Sequence, residues 1–146
     1  KNQAYTNWEL CLADGSDNNH AYVQDICCKE MMEDKRIKYQ KLNENLGISE
    51  NTNRCIEMSE GEYLGLLDHD DILHPAALFE VMKVICERNA DFIYTDESLF
   101  KKNPKDAFCP HFKPDFAPDM LRSLNYICHF TVFSRQLLDI FGMFSR

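Results

Sequence analysis

The chain of 146 residues has no apolar run long enough to cross a bilayer, no Cys-x-x-Cys pair, no repeat and no low-complexity segment. The first absence excludes a transmembrane helix and leaves only peripheral membrane contact, at the inner face, to be expected. Positive charge is also scarce: 16 Lys and Arg stand against 24 Asp and Glu, a formal net charge of −8. Phosphate backbones are held by clustered Lys and Arg, so a nucleic-acid partner is excluded. A polyanionic ligand would have to be met through metal. The seven cysteines are odd in number and scattered, with only Cys27 and Cys28 close together, which is neither a zinc knuckle nor a redox motif. Cys11, Cys86 and Cys128 lie in apolar segments, where free cysteine acts as a small core residue. A reducing, cytoplasmic setting is therefore expected. No signal-peptide pattern is read, and a start on Lys1 rather than Met suggests an excised fragment. What is present suffices for a core: 45% apolar residues, with ten Phe and six Tyr, support one domain over residues 1–146.

The shortage of positive charge is sharpest between Arg54 and Lys83, where no Lys or Arg occurs. Inside that gap Asp68-His69-Asp70-Asp71 follows the apolar run Tyr63-Leu64-Gly65-Leu66-Leu67. Two carboxylates about 5 Å apart at an effective dielectric near 20 repel by roughly 3 kcal/mol, so the cluster is costly without a cation. Carboxylate oxygens suit Mg²⁺ or Mn²⁺, which bind through one or two acids plus substrate phosphates. A phosphorylated substrate follows. The plainer alternative, acids favoured in the first turn of a helix, explains Asp71 but not three acids together. A calcium EF-hand fails, because the sixth position from Asp68 is Leu73 instead of Gly and the twelfth is Phe79 instead of Glu.

Periodicity gives strands at residues 8–13, 36–42, 63–67, 91–95 and 129–134, with helices at 22–33, 49–59, from Pro75, and at 135–141. Alternation at this spacing predicts an open α/β sheet with mostly parallel strands. Ligands gather at the carboxyl ends of such strands. Asp14, Asp68 and Asp96 stand at or just past three of them. After Glu97 the chain reads as a long loop carrying Pro104, Pro110, Pro114 and Pro118, and a loop of that length is usually functional.

Asp-x-Asp after an apolar strand resembles the haloacid dehalogenase-like phosphatases, which would make Asp68 the nucleophile and Asp70 the acid. Ile72 departs from that pattern, and the motif is not on the first strand. A fuller resemblance covers most of the chain. Asn7-Trp8-Glu9-Leu10 before Asp14-Gly15-Ser16, Glu44-Asn45-Leu46-Gly47-Ile48-Ser49 with Asn53, Ser59-Glu60-Gly61-Glu62-Tyr63, and Leu67-Asp68-His69-Asp70-Asp71 before Pro75-Ala76-Ala77-Leu78 occur in that order. This series resembles the family 2 inverting glycosyltransferases of GT-A fold, and most closely the bacterial members that build cell-surface polysaccharide. Those also carry stretches like His111-Phe112-Lys113-Pro114-Asp115 and Asn125-Tyr126-Ile127-Cys128-His129.

The resemblance implies an α/β sandwich around a mostly parallel sheet with its first strand missing. It also implies transfer, with inversion, from a UDP-, GDP- or dTDP-linked sugar to a saccharide or lipid-linked acceptor, assisted by Mn²⁺ or Mg²⁺. Asp14, Asn53 and Asp68 would take the nucleotide, Asp14 at the base and Asp68 near the ribose. Asp70 would reach the metal, with Asp71 supporting it. Asp96, Glu97 and His129 would lie on the sugar or acceptor side, or be a solvated acid pair and a buried histidine. His111 and Lys113 would close over the diphosphate or face water. No residue matches the family's catalytic base, which is expected beyond residue 146, after Gly142-Met143-Phe144. A homodimer through open sheet edges is a further expectation, and a non-catalytic binding module is the alternative from another class.

Overall fold

The computed structural model describes residues 1–145, and the chain divides into two compact units. The N-terminal unit comprises Thr6–Glu62 with the chain from Gln136 on, and the central unit Lys1–Tyr5 with Tyr63–Arg135.

In the N-terminal unit β1 (Leu10–Asp14) pairs in parallel with β2 (Ile37–Lys41), Leu10 opposite Ile37 and Asp14 opposite Lys41. Parallel neighbours need a crossover, which α1 (Tyr22–Glu33) supplies over the span that periodicity predicts. Helix α2 (Ile48–Met58) begins one residue before the expected Ser49. Ser49 does not cap it; its hydroxyl donates to the Ser145 carbonyl at 3.1 Å. Gly15 is required where it stands. A Cβ there would lie 2.8 Å from the Asn45 Cα, so only glycine lets the loops after β1 and β2 approach this closely.

The central unit contains β3 (Tyr63–Leu66), α3 (Ala77–Arg88), β4 (Phe92–Tyr94), β5 (Glu97–Leu99), β6 (Phe108–His111), α4 (Pro118–Leu121) and β7 (Thr131–Ser134). Its main sheet has the order β3-β7-β4, with β7 antiparallel to both neighbours. The expectation of a mostly parallel sheet is corrected here: among the described strands only β1 and β2 run parallel. Strand β7 returns late in the unit and inserts between β3 and β4 instead of adding to an edge. The segment after Glu97, expected to be a loop, holds the antiparallel pair β5 and β6 and the short α4. Helix α3 starts two residues after Pro75, beyond a turn in which the Ala77 N–H donates to the His74 carbonyl at 2.8 Å.

Val81 of α3 packs with Phe130 and with Val132 of β7, joined by Tyr63, Leu73, Leu78, Ile85 and Ile93. Each fully buried side chain of this size contributes about 1.5–3 kcal/mol. Gly65 makes room for this packing, since a Cβ on it would fall 2.6 Å from Cζ of Phe130. The chain then runs into α5 (Arg135–Phe141). No helix among the described residues is long and apolar enough to cross a membrane.

Candidate functional site

Beyond the end of β3 the chain turns through Asp68-His69-Asp70-Asp71, with the Asp71 N–H donating to the Asp68 carbonyl at 3.2 Å. Leu66 stands opposite Thr131 in the antiparallel ladder. Asp68 lies two residues beyond Leu66 and His129 two residues before Thr131, both past the end of that ladder. The side chains meet there, Asp68 Oδ2 lying 3.4 Å from His129 Nδ1. Asp71 joins them: one ligand atom from each of Asp68, Asp71 and His129 falls within 4.8 Å of the other two, and all three residues are exposed.

The geometry therefore groups Asp71 with Asp68 and His129, not with Asp70. The turn brings its first and fourth residues side by side and leaves Asp70, also exposed, at the corner outside the group. Ligands of one octahedral ion at 2.0–2.1 Å stand roughly 2.9 Å apart when adjacent and roughly 4.1 Å when opposite. The limit of 4.8 Å is wider than either spacing, so these exposed side chains would have to rotate to hold one ion. Two carboxylates and an imidazole fit Mn²⁺ better than Mg²⁺, which favours oxygen alone.

The other side of β7 brings in β4. Tyr94 pairs with Thr131, and past the ladder the Thr95 N–H donates to the Phe130 carbonyl at 3.2 Å. Asp96 Oδ1 accepts the Lys113 N–H at 2.8 Å. Glu97 Oε1 lies 2.9 Å from His111 Nδ1, and its Oε2 accepts the His129 N–H at 2.8 Å. The Lys113 ammonium lies 3.5 Å from the same Oε2. It also donates to the Cys128 and His129 carbonyls at 2.8 and 3.1 Å. Burial pushes the Glu97 carboxyl up, but the contact with His111, the His129 N–H and Lys113 outweigh it and hold the group below its ordinary value. Asp96 and Glu97 are thus tied into a network instead of being a simply solvated pair, whereas His129 is exposed instead of buried.

Asp14 and Asn53 belong to the N-terminal unit, and each is engaged by its own chain. Asp14 Oδ1 accepts the Ser16 N–H at 2.8 Å and also the Ser16 hydroxyl; Oδ2 accepts the Tyr39 hydroxyl at 2.8 Å and lies 3.3 Å from the Lys41 ammonium. Burial raises this carboxyl, yet the Ser16, Tyr39 and Lys41 contacts prevail and bring it down to about 2. Burial and the Asp14 charge push the Tyr39 phenol up. The Asn53 amide donates to the Phe144 carbonyl at 2.9 Å and accepts the Phe144 N–H at 3.0 Å. Through these two bonds Asn53 holds the C-terminal segment.

Two features are missed by sequence reasoning: the pairing of His129 with Asp68, and the burial of Lys113, whose side chain is 1% exposed. A strand at 129–134 is readable, but its direction and neighbours are not, and those fix what stands opposite residue 129.

Residues 1–141 match the family described as Glycosyl transferase family 2. The chain is 38% identical over 143 residues to the protein y4gI of Sinorhizobium fredii, an alignment that covers 97% of this chain and 16% of that protein. It is 31% identical over 142 residues to the O-antigen biosynthesis protein RfbC of Myxococcus xanthus, covering 96% of this chain and 11% of that one. With glycosyltransferase GlyG of Streptococcus pneumoniae it shares 30% identity over 92 residues, 62% of this chain and 30% of the relative. The chain thus spans less than a third of the length of each of these relatives.

Proposed function

The chain belongs to glycosyl transferase family 2, and from that membership and its mixed α/β, GT-A-like architecture we propose that it forms the donor-holding part of an inverting glycosyltransferase. The donor is a nucleoside-diphosphate sugar, and the acceptor is a saccharide or a lipid-linked saccharide of the kind used in cell-surface polysaccharide assembly. The relative named for O-antigen biosynthesis supports that acceptor class.

The meeting of Asp68, Asp71 and His129 carries this reading. Two carboxylates supply oxygens and the imidazole supplies a nitrogen to Mn²⁺ or Mg²⁺. When bound, the metal neutralises charge on a departing diphosphate. The chain's own residues prepare the place. The turn at residues 68–71 holds two acids together, the pairing of β3 with β7 brings the segment before Thr131 near them, and Glu97 fixes the His129 N–H. Asp14 would meet the nucleotide base by exchanging one of its internal donors for one on the base.

Calorimetric titration of UDP, GDP and dTDP into the protein with and without Mn²⁺ tests the proposal. Binding that requires Mn²⁺ and disappears in Asp71→Ala is expected; binding indifferent to Mn²⁺, or none in any condition, overturns it and favours a non-catalytic module. The haloacid dehalogenase-like reading has no observation in its favour once the family is established. Pairing between copies is also proposed, since β3 and β4 are the outer strands of their sheet and open edges recruit strands. Sedimentation that gives a monomer at every concentration removes it.

A further inference from the structure

Residues 128 and 129 lie outside any ladder, because β7 begins only at Thr131. Their backbone groups must find partners elsewhere. Side chains provide them: Glu97 takes the His129 N–H, while Lys113 donates to the carbonyls of Cys128 and His129. Both polar groups of His129's backbone are thereby held by side chains.

Lys113 is unusual for a lysine on a connecting segment. Its side chain is 1% exposed, although lysine is almost never fully buried unless paired. The ammonium has three protons and three acceptors, the two carbonyls and Glu97 Oε2. Its own backbone is fixed in turn, because Asp96 Oδ1 accepts the Lys113 N–H and the Tyr94 hydroxyl donates to the next carbonyl, that of Pro114, at 2.6 Å. Glu97 is held from its other oxygen by His111.

We propose that Lys113 and Glu97 are positioning residues: together they clamp the backbone at residues 128–129 and so set the His129 imidazole beside Asp68. The consequence for metal binding rests on the proposed donor site; the clamp itself does not. Neither residue touches the acids, so both act through His129. Partners that orient a metal-binding histidine matter in this way, and their loss typically weakens metal affinity roughly 10- to 100-fold.

The experiment uses the whole chain labelled with ¹⁵N at histidine, with the His129 ring signals identified by their loss in His129→Gln. Lys113→Met keeps the length of the side chain and removes the ammonium. Glu97→Ala removes the acceptor of the His129 N–H and leaves Lys113 its carbonyls, and it serves if Lys113→Met fails to fold. A core variant in the N-terminal unit, Ile37→Val, monitors destabilisation without touching the clamp or the packing around Phe130. In metal-free protein the clamp variants are expected to shift or broaden the His129 ring signals while Ile37→Val leaves them in place. Unchanged signals in a folded clamp variant, or an equal change in the core variant, overturn the proposal. Mn²⁺ affinity, read from free Mn²⁺ by electron paramagnetic resonance, is expected to fall roughly 10- to 100-fold in the clamp variants. Absence of Mn²⁺ binding by the unaltered protein would overturn the donor-site reading, while the metal-free spectra would still decide the clamp.

Discussion

Asp14 and Asp68 both stand at or just past the end of a strand, one in each unit, and their surroundings are opposite. The Asp14 carboxylate is buried and meets Ser16, Tyr39 and Lys41. Asp68 and Asp71 are exposed, and among the described residues no Lys or Arg pairs with either; Asp68's ionic neighbour is His129. Chain position alone does not separate an acid whose charge its own chain compensates from one whose charge is left uncompensated. The difference lies in who supplies the compensating charge. Where the chain's own donors do so, the carboxylate stabilises the fold. Where they are withheld and a second acid is brought close, the mutual repulsion is what the proposed cation would relieve.

The comparison can be broken most directly by exchanging amides for the acids. Asp71→Asn should weaken Mn²⁺ binding by more than the roughly 10- to 100-fold typical of losing an outer partner, since a ligand itself is altered, with little change in melting temperature. Asp14→Asn should do the reverse. Lowering a carboxyl from its ordinary 3.8 to about 2 corresponds to about 2 kcal/mol of stability. That contribution is fully present above about pH 4 and is lost as pH falls through about 2, because only the ionised form satisfies these donors. Denaturant unfolding of the unaltered chain and of Asp14→Asn should therefore differ by about 2 kcal/mol at neutral pH and converge by pH 2. Parallel curves would show that Asp14's partners do not favour its charged form.

The glycines offer a second cut through the same contrast. Alanine at Gly15 would press on the Asn45 backbone and alanine at Gly65 on the Phe130 ring, at 2.8 and 2.6 Å. Each should destabilise by about 1–3 kcal/mol, as overpacking does. Only Gly65→Ala should also weaken Mn²⁺ binding, because Phe130 adjoins His129. Equal Mn²⁺ affinity in the two variants would mean that the site tolerates movement of the strand beneath it.

Much of the local structure was legible because it depends on near neighbours in the chain. The periodicity of Val23, Ile26, Cys27 and Met31 gives α1 its span, and the apolar run at Tyr63 gives β3. The sheet was less legible. That β7 lies between β3 and β4 and runs against both depends on pairing across 37 to 71 residues, which no local pattern encodes. The site inherited that blindness. Asp68 and Asp71 are readable from composition, but His129 becomes their neighbour only through the register, and Lys113 becomes buried only through groups on residues 97, 128 and 129. A proline-rich stretch that reads as a loop conceals the residues most firmly tied down.

The smallest predicted effect is the one that most sharpens the contrast. In an Asp-x-Asp pattern the second acid, Asp70, is the natural metal ligand, yet the turn that joins the Asp71 N–H to the Asp68 carbonyl leaves it at the corner, outside the group with His129. It is exposed and, among the described residues, has no ionic partner to lose. Asp70→Ala should thus leave stability within about 0.5 kcal/mol, as surface changes away from special features do. Mn²⁺ affinity should fall by no more than about tenfold, the share of a nearby exposed charge acting on a divalent ion in high dielectric. A loss as large as that of Asp71→Asn would mean that the turn re-forms around the ion with Asp70 inside it. The donor site would then be assembled by the metal instead of being held ready by the register of β3 and β7.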